Sequence, residues 1–267
     1  MDLATLLGIG LGFAIVAIVM VMDGGSPAEL FSNPAPILLI FGGATMATAA
    51  AFPLKVTLSL PKYLTIAIRS NAADSSSAIE ILTKMADKAR REGLLALEEE
   101  SKKVKDSFLR KGLMLVVDGV DPALVRSILE TEIENMRARH AQGSGFMVAA
   151  GGFAPTFGII GTVMGLINVL KQLDEPGKLG EAIASAFLAT LWGLLSSNLI
   201  WLPLGAKLRS RSGEEVVYRR MLMEGILALQ AGENPRLVRE KLSAFLPPKA
   251  RPVEGSKGQT LEAEARA

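Results

Sequence analysis

Four stretches of this chain carry no Asp, Glu, Lys, Arg or His, and each is long enough to cross a lipid bilayer. They cover residues 3–22, 36–54, 146–170 and 182–206. A hydrocarbon core about 30 Å thick needs about 20 predominantly apolar residues in a helix. The sequence therefore predicts an all-α membrane protein with four transmembrane helices.

The composition agrees with this and excludes several classes of function. Of the 267 residues, 49% are hydrophobic and only 5% aromatic, and the net charge is +2. The chain has no cysteine and one histidine, His140, so thiol chemistry, Cys/His zinc sites and a His-based triad are excluded. We expect no metal or organic cofactor, no enzymatic activity and, from the small net charge, no binding to nucleic acid.

The basic residues are strongly asymmetric about the predicted membrane. Of 29 Lys and Arg residues, 27 lie in segments 55–145 and 207–267, and the two short loops between spans hold the other two. The positive-inside rule then predicts that these two segments and both chain ends are cytoplasmic.

Charge and helical periodicity divide the chain further. A Ser77–Glu80 capping box predicts the start of one helix, apolar residues after Gly93 predict a second that continues to Phe108, and Asp121 before Pro122 predicts a third. The predicted segments are 1–54 (spans 1 and 2 with a short periplasmic loop), 55–145 (a cytoplasmic helical bundle), 146–206 (spans 3 and 4), 207–248 (cytoplasmic C-terminal helices) and 249–267 (a disordered tail).

The third and fourth spans contain small and hydroxyl residues but no carboxylate. Gly161 and Gly165 have GxxxG spacing, and Thr162 and Thr190 lie well inside the spans. Two interpretations remain open: close packing of helices within the chain, or a polar seam against a partner helix. Since ionisable groups inside a bilayer are usually functional, a chain without one either conducts nothing or relies on a carboxylate from another polypeptide.

Three motifs in this order carry a resemblance to a known family. They are ARREGLLALE at 89–98, GTVMG at 161–165 and GENPR at 232–236. Together with the four spans and the long loop after the second, they resemble the flagellar stator branch (MotA) of the MotA/TolQ/ExbB proton channel family. The likeness extends to about residue 248.

The resemblance implies partners and site residues. It implies five copies of this subunit around two copies of MotB, whose single membrane helix bears the ion-binding aspartate, and torque on the rotor protein FliG. By the same resemblance Arg90, Arg91, Glu98 and Glu99 are candidate rotor contacts. The resemblance also implies that Pro155 and Pro203 flank the ion path in the inner membrane and that Thr190 lies near the partner's aspartate.

The coupling ion is left open by conflicting residues. The hydroxyl of Thr162 is typical of sodium-driven relatives, whereas Ala189 stands where such relatives often have a second threonine. We expect protons, with sodium as the alternative. A TolQ/ExbB-like energiser of an envelope system and a non-conducting membrane scaffold are the competing functions.

Overall fold

A computed structural model describes residues 3–68, 74–171 and 176–250. Within these ranges every regular element is helical. The α-helices are α1 (Leu3–Met22), α2 (Pro34–Ala51), α3 (Leu54–Leu58), α4 (Leu60–Ile68), α5 (Ser75–Glu92), α6 (Leu97–Lys103), α7 (Ser107–Val117), α8 (Pro122–Lys171), α9 (Pro176–Leu195), α10 (Leu202–Gln230) and α11 (Pro235–Ser243). Short 3₁₀ turns cover Pro27–Phe31, Leu94–Ala96 and Pro248–Ala250, and a π-helical segment, Ser196–Trp201, joins α9 to α10. Most of the predicted disordered tail, residues 251–267, lies outside the described residues.

The prediction of four membrane spans is confirmed. Four helices are long and apolar enough to cross a bilayer, and α1 coincides with the first predicted span. The second span ends earlier than predicted, at Ala51, because Phe52 is extended and Pro53 has no N–H to continue the helix. The third span lies within α8, and the fourth runs from α9 through the π-helical segment into α10.

Two predicted helix limits between spans 2 and 3 are wrong. Asp74, not Ser77, caps α5: its Oδ1 accepts a hydrogen bond from the Ser77 backbone N–H at 3.0 Å. The helix expected to continue to Phe108 is interrupted, because Val104 is extended and Asp106 caps the separate helix α7. The predicted cap at Asp121 is confirmed, since its carboxylate accepts from the first N–H groups of α8.

Contacts divide the described residues into two compact units. The membrane unit contains residues 3–68, 137–171 and 176–213, and the loop unit contains residues 74–136 and 214–250. Helices α8 and α10 each contribute to both units. The segment limits predicted at residues 145 and 206 mark where the chain enters or leaves the bilayer. The contacts within the protein do not test these membrane boundaries, which stay predictions.

The membrane unit has an aromatic cluster around Trp192. This side chain is buried, and its Nε1–H donates to the backbone oxygen of Leu30 at 2.7 Å. Phe31 and Phe41 meet the indole edge-on, with ring centroids 5.5 and 6.2 Å away. A second tie joins Asn33 Nδ2 to the hydroxyl of Ser185 at 2.6 Å. The segment between α1 and α2 is thus held against α9 at two points.

The loop unit has its own apolar core. Phe108, Leu109 and Leu113 of α7 are buried there together with side chains from α5, α8, α10 and α11. Gly225 lets α10 approach α5 closely, because a Cβ at this position would lie 2.6 Å from the side chain of Leu82 of α5. This core supports the short helix α6, which follows the reversal of the chain after α5.

Candidate ion path and charged contact surface

Helices α8 and α9 touch through their backbones at one crossing point. A Cβ added to Gly158 would lie 3.0 Å from the backbone oxygen of Ala189, and one added to Gly193 would lie 2.9 Å from that of Ala154. Farther along the contact, a Cβ at Gly161 would lie 2.7 Å from the side chain of Ala189. The small residues of spans 3 and 4 therefore pack the two helices within the chain, as the first interpretation of them proposed.

The same contact brings the two predicted threonines together. The Oγ1 atoms of Thr162 and Thr190 are 2.5 Å apart, and both side chains are half-buried. Thr162 Oγ1 also lies 3.0 Å from the backbone oxygen of Ala186 and 3.1 Å from that of Gly158. One hydroxyl has a single proton, so it cannot donate to both carbonyls at once. The result is a small cluster of oxygen atoms that is rich in acceptors.

Pro155 leaves one backbone carbonyl of α8 without its helical donor. Ser197, which was not among the predicted site residues, supplies the missing hydrogen bond. Without an N–H, Pro155 cannot donate to the backbone oxygen of Gly151, one turn earlier in α8. The hydroxyl of Ser197 donates to that oxygen at 2.7 Å, and its side chain is buried. The carbonyl freed by a proline inside a span was the signal that could have prompted a search for such a hydroxyl.

Pro203 is placed differently from Pro155. Pro203 follows the π-helical segment, is exposed, and lines a groove with Ala4, Gly8 and Ile9 of α1. Pro155 lies at the α8–α9 crossing instead, where its Cα is 3.3 Å from the Cβ that Gly193 lacks. The structure therefore joins Pro155, Thr162 and Thr190 along one helix contact and leaves Pro203 on another face of the membrane unit.

The four predicted rotor contacts lie at the junction of α5 and α6 in the loop unit. All four side chains are exposed. Arg91 pairs with Asp87 at 2.9 Å, and Glu98 pairs with Lys102 at 2.9 Å, each within its own helix. No carboxylate of a described residue pairs with Arg90. Exposed local pairs of this kind contribute only about 0–1 kcal/mol, so these charges remain available to another surface.

A different ion pair connects the two helices. Lys88 Nζ of α5 lies 2.9 Å from Glu100 Oε1 of α6, and Lys103 Nζ lies 3.2 Å from the same oxygen. The hydrogen bond to Glu100 raises the pKa of Lys88. The hydrogen bonds from Lys88 and Lys103 lower the pKa of Glu100. Both partners therefore stay charged near neutral pH.

The fold and these features define a multi-pass membrane subunit with a hydroxyl-lined helix contact and a separate charged surface. Among the described residues no group of three or more His, Asp or Glu side chains could hold a metal ion. The model of the MotA/TolQ/ExbB proton channel family matches residues 100–221.

Comparison with individual proteins extends the likeness to the whole chain. It is 37% identical over 267 residues to Motility protein A of Bacillus subtilis, covering 100% of this chain and 98% of that one. The structure of C. jejuni MotAB matches with a TM-score of 0.90 and 28% identity, over 95% of this chain and 100% of that chain. The structure of the flagellar MotAB stator complex from Bacillus subtilis matches with a TM-score of 0.86 and 38% identity, over 92% of this chain and 96% of that chain.

The chain belongs to the MotA/TolQ/ExbB proton channel family. Within it, the relatives and structures just described are motility and stator proteins, so the chain is a flagellar stator-type ion-channel subunit of the inner membrane. The TolQ/ExbB-like alternative is not favoured. The family is one of channels and stators rather than a known class of enzymes.

Proposed function

We propose that this chain assembles with a MotB-type partner and couples ion flow across the inner membrane to torque on a flagellar rotor. The observation that carries the proposal is the contact between Thr162 and Thr190, a polar site inside spans that contain no ionisable residue. Such a site can contact an ion in transit but cannot hold its counter-charge. The carboxylate then comes from the single membrane helix of the partner.

The physical role of the hydroxyl cluster follows from its acceptors. An ion or proton on the partner's carboxylate neutralises that charge and lets the partner helix move along an apolar surface. The oxygen acceptors of this cluster, beside the path, replace part of the hydration that the ion loses. Each elementary charge that crosses 100 mV supplies about 2.3 kcal/mol, so each step of the movement is small.

Ion flux through the co-expressed chain and its partner, with the partner's plug segment removed, tests this role. We expect Thr162→Val and Thr190→Val to lower the flux about tenfold, which corresponds to about 1.4 kcal/mol and to one lost hydrogen bond. Thr156→Val is the control, because the exposed Thr156 hydroxyl bonds only within its own helix turn, to Phe153. Equal flux in all three variants would remove the threonine pair from the path, and no flux in the wild type would favour a scaffold.

We propose the proton as the coupling ion, as the family's description supports. One observation favours sodium instead: three oxygens lie within 3.1 Å of Thr162 Oγ1, and sodium prefers oxygen ligands. Swimming speed in sodium-free medium, with the membrane potential held constant, distinguishes the two. Unchanged speed is expected for a proton-driven stator, and arrest would assign sodium.

We propose that the exposed charges of Arg90, Arg91, Glu98 and Glu99 engage the rotor protein FliG. Their exposure and purely local ion pairs support a steering contact, in which charge sets register rather than tight binding. Charge reversal at Arg90 or Glu98 is expected to reduce torque, and the opposite reversal on the rotor should restore it. Independent effects of the two reversals would contradict the contact.

The proposed assembly has five copies of this chain around two copies of the partner, within membrane lipid. Native mass spectrometry of the purified complex measures this directly. A mass that corresponds to any other ratio would contradict the proposed stoichiometry of five to two. The proposed coupling of ion flow to torque does not depend on that ratio.

We propose that both chain ends and the loop unit face the cytoplasm, which the 27 basic residues outside the short loops support. The chain has no cysteine, so single-cysteine variants report position cleanly. A membrane-impermeant maleimide added to intact spheroplasts should label Ala28→Cys and leave Ser107→Cys unlabelled. The reverse pattern would invert the topology.

A further inference from the structure

The junction of α5 and α6 is a tight reversal of the chain. Gly93 has φ +85°, a conformation that favours glycine, and the 3₁₀ turn Leu94–Ala96 leads directly into α6. Arg90 precedes this reversal and Glu98 follows it. Their relative placement therefore depends on what holds the two sides of the turn together.

One side of the junction is anchored by buried groups. Leu97 is fully buried, and the buried hydroxyl of Ser101 donates to the backbone oxygen of Glu98 at 2.7 Å. The same hydroxyl lies 3.2 Å from the sulfur of Met114, on α7. These contacts hold α6 against α7.

The ion pair between Lys88 and Glu100 crosses the junction itself. Its two side chains are 31% and 29% exposed, whereas Arg91, which pairs within α5, is 74% exposed. Among the ion pairs of the described residues it is the one that joins α5 to α6; the pairs of Arg91 and Glu98 stay within one helix. The partly covered pair is screened less by solvent than the exposed pairs around it.

We infer that Lys88 and Glu100 are positioning residues, which set the spacing and direction of Arg90 and Glu98 on the surface offered to the rotor. The inference rests on the proposed rotor contact. Neither residue needs to touch the rotor, because Lys88 and Glu100 act through the geometry of the turn. Since a partly exposed ion pair contributes little to folding, loss of the pair alters torque without unfolding the loop unit.

A double-mutant cycle on the full-length chain, co-expressed with its partner in a motile strain, tests the positioning role of the ion pair between Lys88 and Glu100. Torque is measured from tethered-bead rotation at high load, with stator level and melting temperature followed in parallel. We expect Lys88→Met and Glu100→Gln each to lower torque about two- to fivefold, and the double variant to lose no more than either single one. Lys88→Arg, which keeps the charge and the reach, should retain torque.

The matched control is another ion pair of the loop unit between separate helices. Lys111 and Glu132 lie 2.6 Å apart and are 51% and 32% exposed. Lys111→Met and Glu132→Gln should leave torque unchanged at equal stator level. Equal torque losses in both pairs, additive losses at Lys88 and Glu100, or a matching fall in melting temperature would overturn the positioning role.

Arg90→Ala and Glu98→Gln separate this inference from the function on which it rests. If these two variants reduce torque while Lys88→Met does not, the positioning role of Lys88 and Glu100 is wrong and the rotor contact stands. If Arg90→Ala and Glu98→Gln keep full torque, the rotor contact itself is wrong.

Discussion

Ser197 donates its hydroxyl to the backbone oxygen of Gly151, the carbonyl that Pro155 leaves without a helical donor. The bond is 2.7 Å long and buried, and it joins α8 to the π-helical segment between α9 and α10. In a bilayer an unsatisfied carbonyl has no water to bind, so the proline in α8 is compatible with the fold because this hydroxyl compensates for it.

We therefore expect Ser197→Ala to destabilise the membrane unit by about 1 kcal/mol, the usual range for hydrogen bonds between membrane helices. Ser196→Ala is the control, since the buried Ser196 hydroxyl bonds only to Gly193, within its own turn. Thermal unfolding of the purified complex in detergent measures the difference. Equal stability of the two variants would show that the freed carbonyl is satisfied in another way.

The backbone contact at Gly158 leads to a second prediction. Gly158→Ala should cost about 1–3 kcal/mol, because the new Cβ would lie 3.0 Å from a backbone oxygen of α9 and the helices must separate. Ion flux should fall as well, since separation moves Thr162 away from Thr190. Gly152→Ala on the same helix meets no atom within 4 Å and should change neither stability nor flux. Comparable losses in both variants would argue against the crossing point.

The two tryptophans differ in hydrogen bonding although both are buried. Trp192 Nε1 donates to Leu30, whereas Trp201 Nε1 has no acceptor among the described residues. Trp192→Phe should cost about 1 kcal/mol more than Trp201→Phe, because both changes remove the same volume but only the first breaks a bond. Unfolding of the two variants side by side checks this. A larger loss at Trp201 would mean that its indole has a partner in the assembled complex.

Tyr218 makes the folding stability of the loop unit depend on pH in the alkaline range. Burial, and then the nearby charge of Asp106, raise the pKa of Tyr218 to about 12, against about 10 in an unfolded chain. The folded state holds this proton more tightly, so the stabilisation is complete below about pH 10 and is lost as pH rises toward about 12. Tyr218→Phe should flatten the fall in stability across that window. Circular dichroism of both proteins from pH 9 to about 12 measures it, and parallel curves would contradict the assignment.

Much of the fold could be predicted from local sequence. The uncharged run at 3–22 matches α1, and Asp121 before Pro122 starts α8, because span length and capping depend on neighbouring residues only. The cap of α5 was misplaced for a related reason. Asp74 and Ser77 are both capping types, and only the path of the backbone selects between them.

The break between α6 and α7 shows where periodicity is insufficient. The apolar residues after Gly93 recur at helical spacing through Phe108, yet Asp106 starts a new helix there. Burial of Phe108 in the loop-unit core accompanies the change of direction. Core packing of this kind involves residues distant in sequence, and a local pattern does not contain it.

The amino-acid sequence by itself determined that the chain spans a membrane four times, that these spans have no charge of their own, and that basic residues gather outside the short loops. Each of these follows from the transfer of side chains between water and lipid, which depends on residue type and run length. Only the tertiary structure decided which polar groups meet: Thr162 with Thr190, Ser197 with Gly151, Lys88 with Glu100. Those pairs depend on where helices cross and chains reverse, and hydrogen bonds form only over the last few ångströms of such an approach.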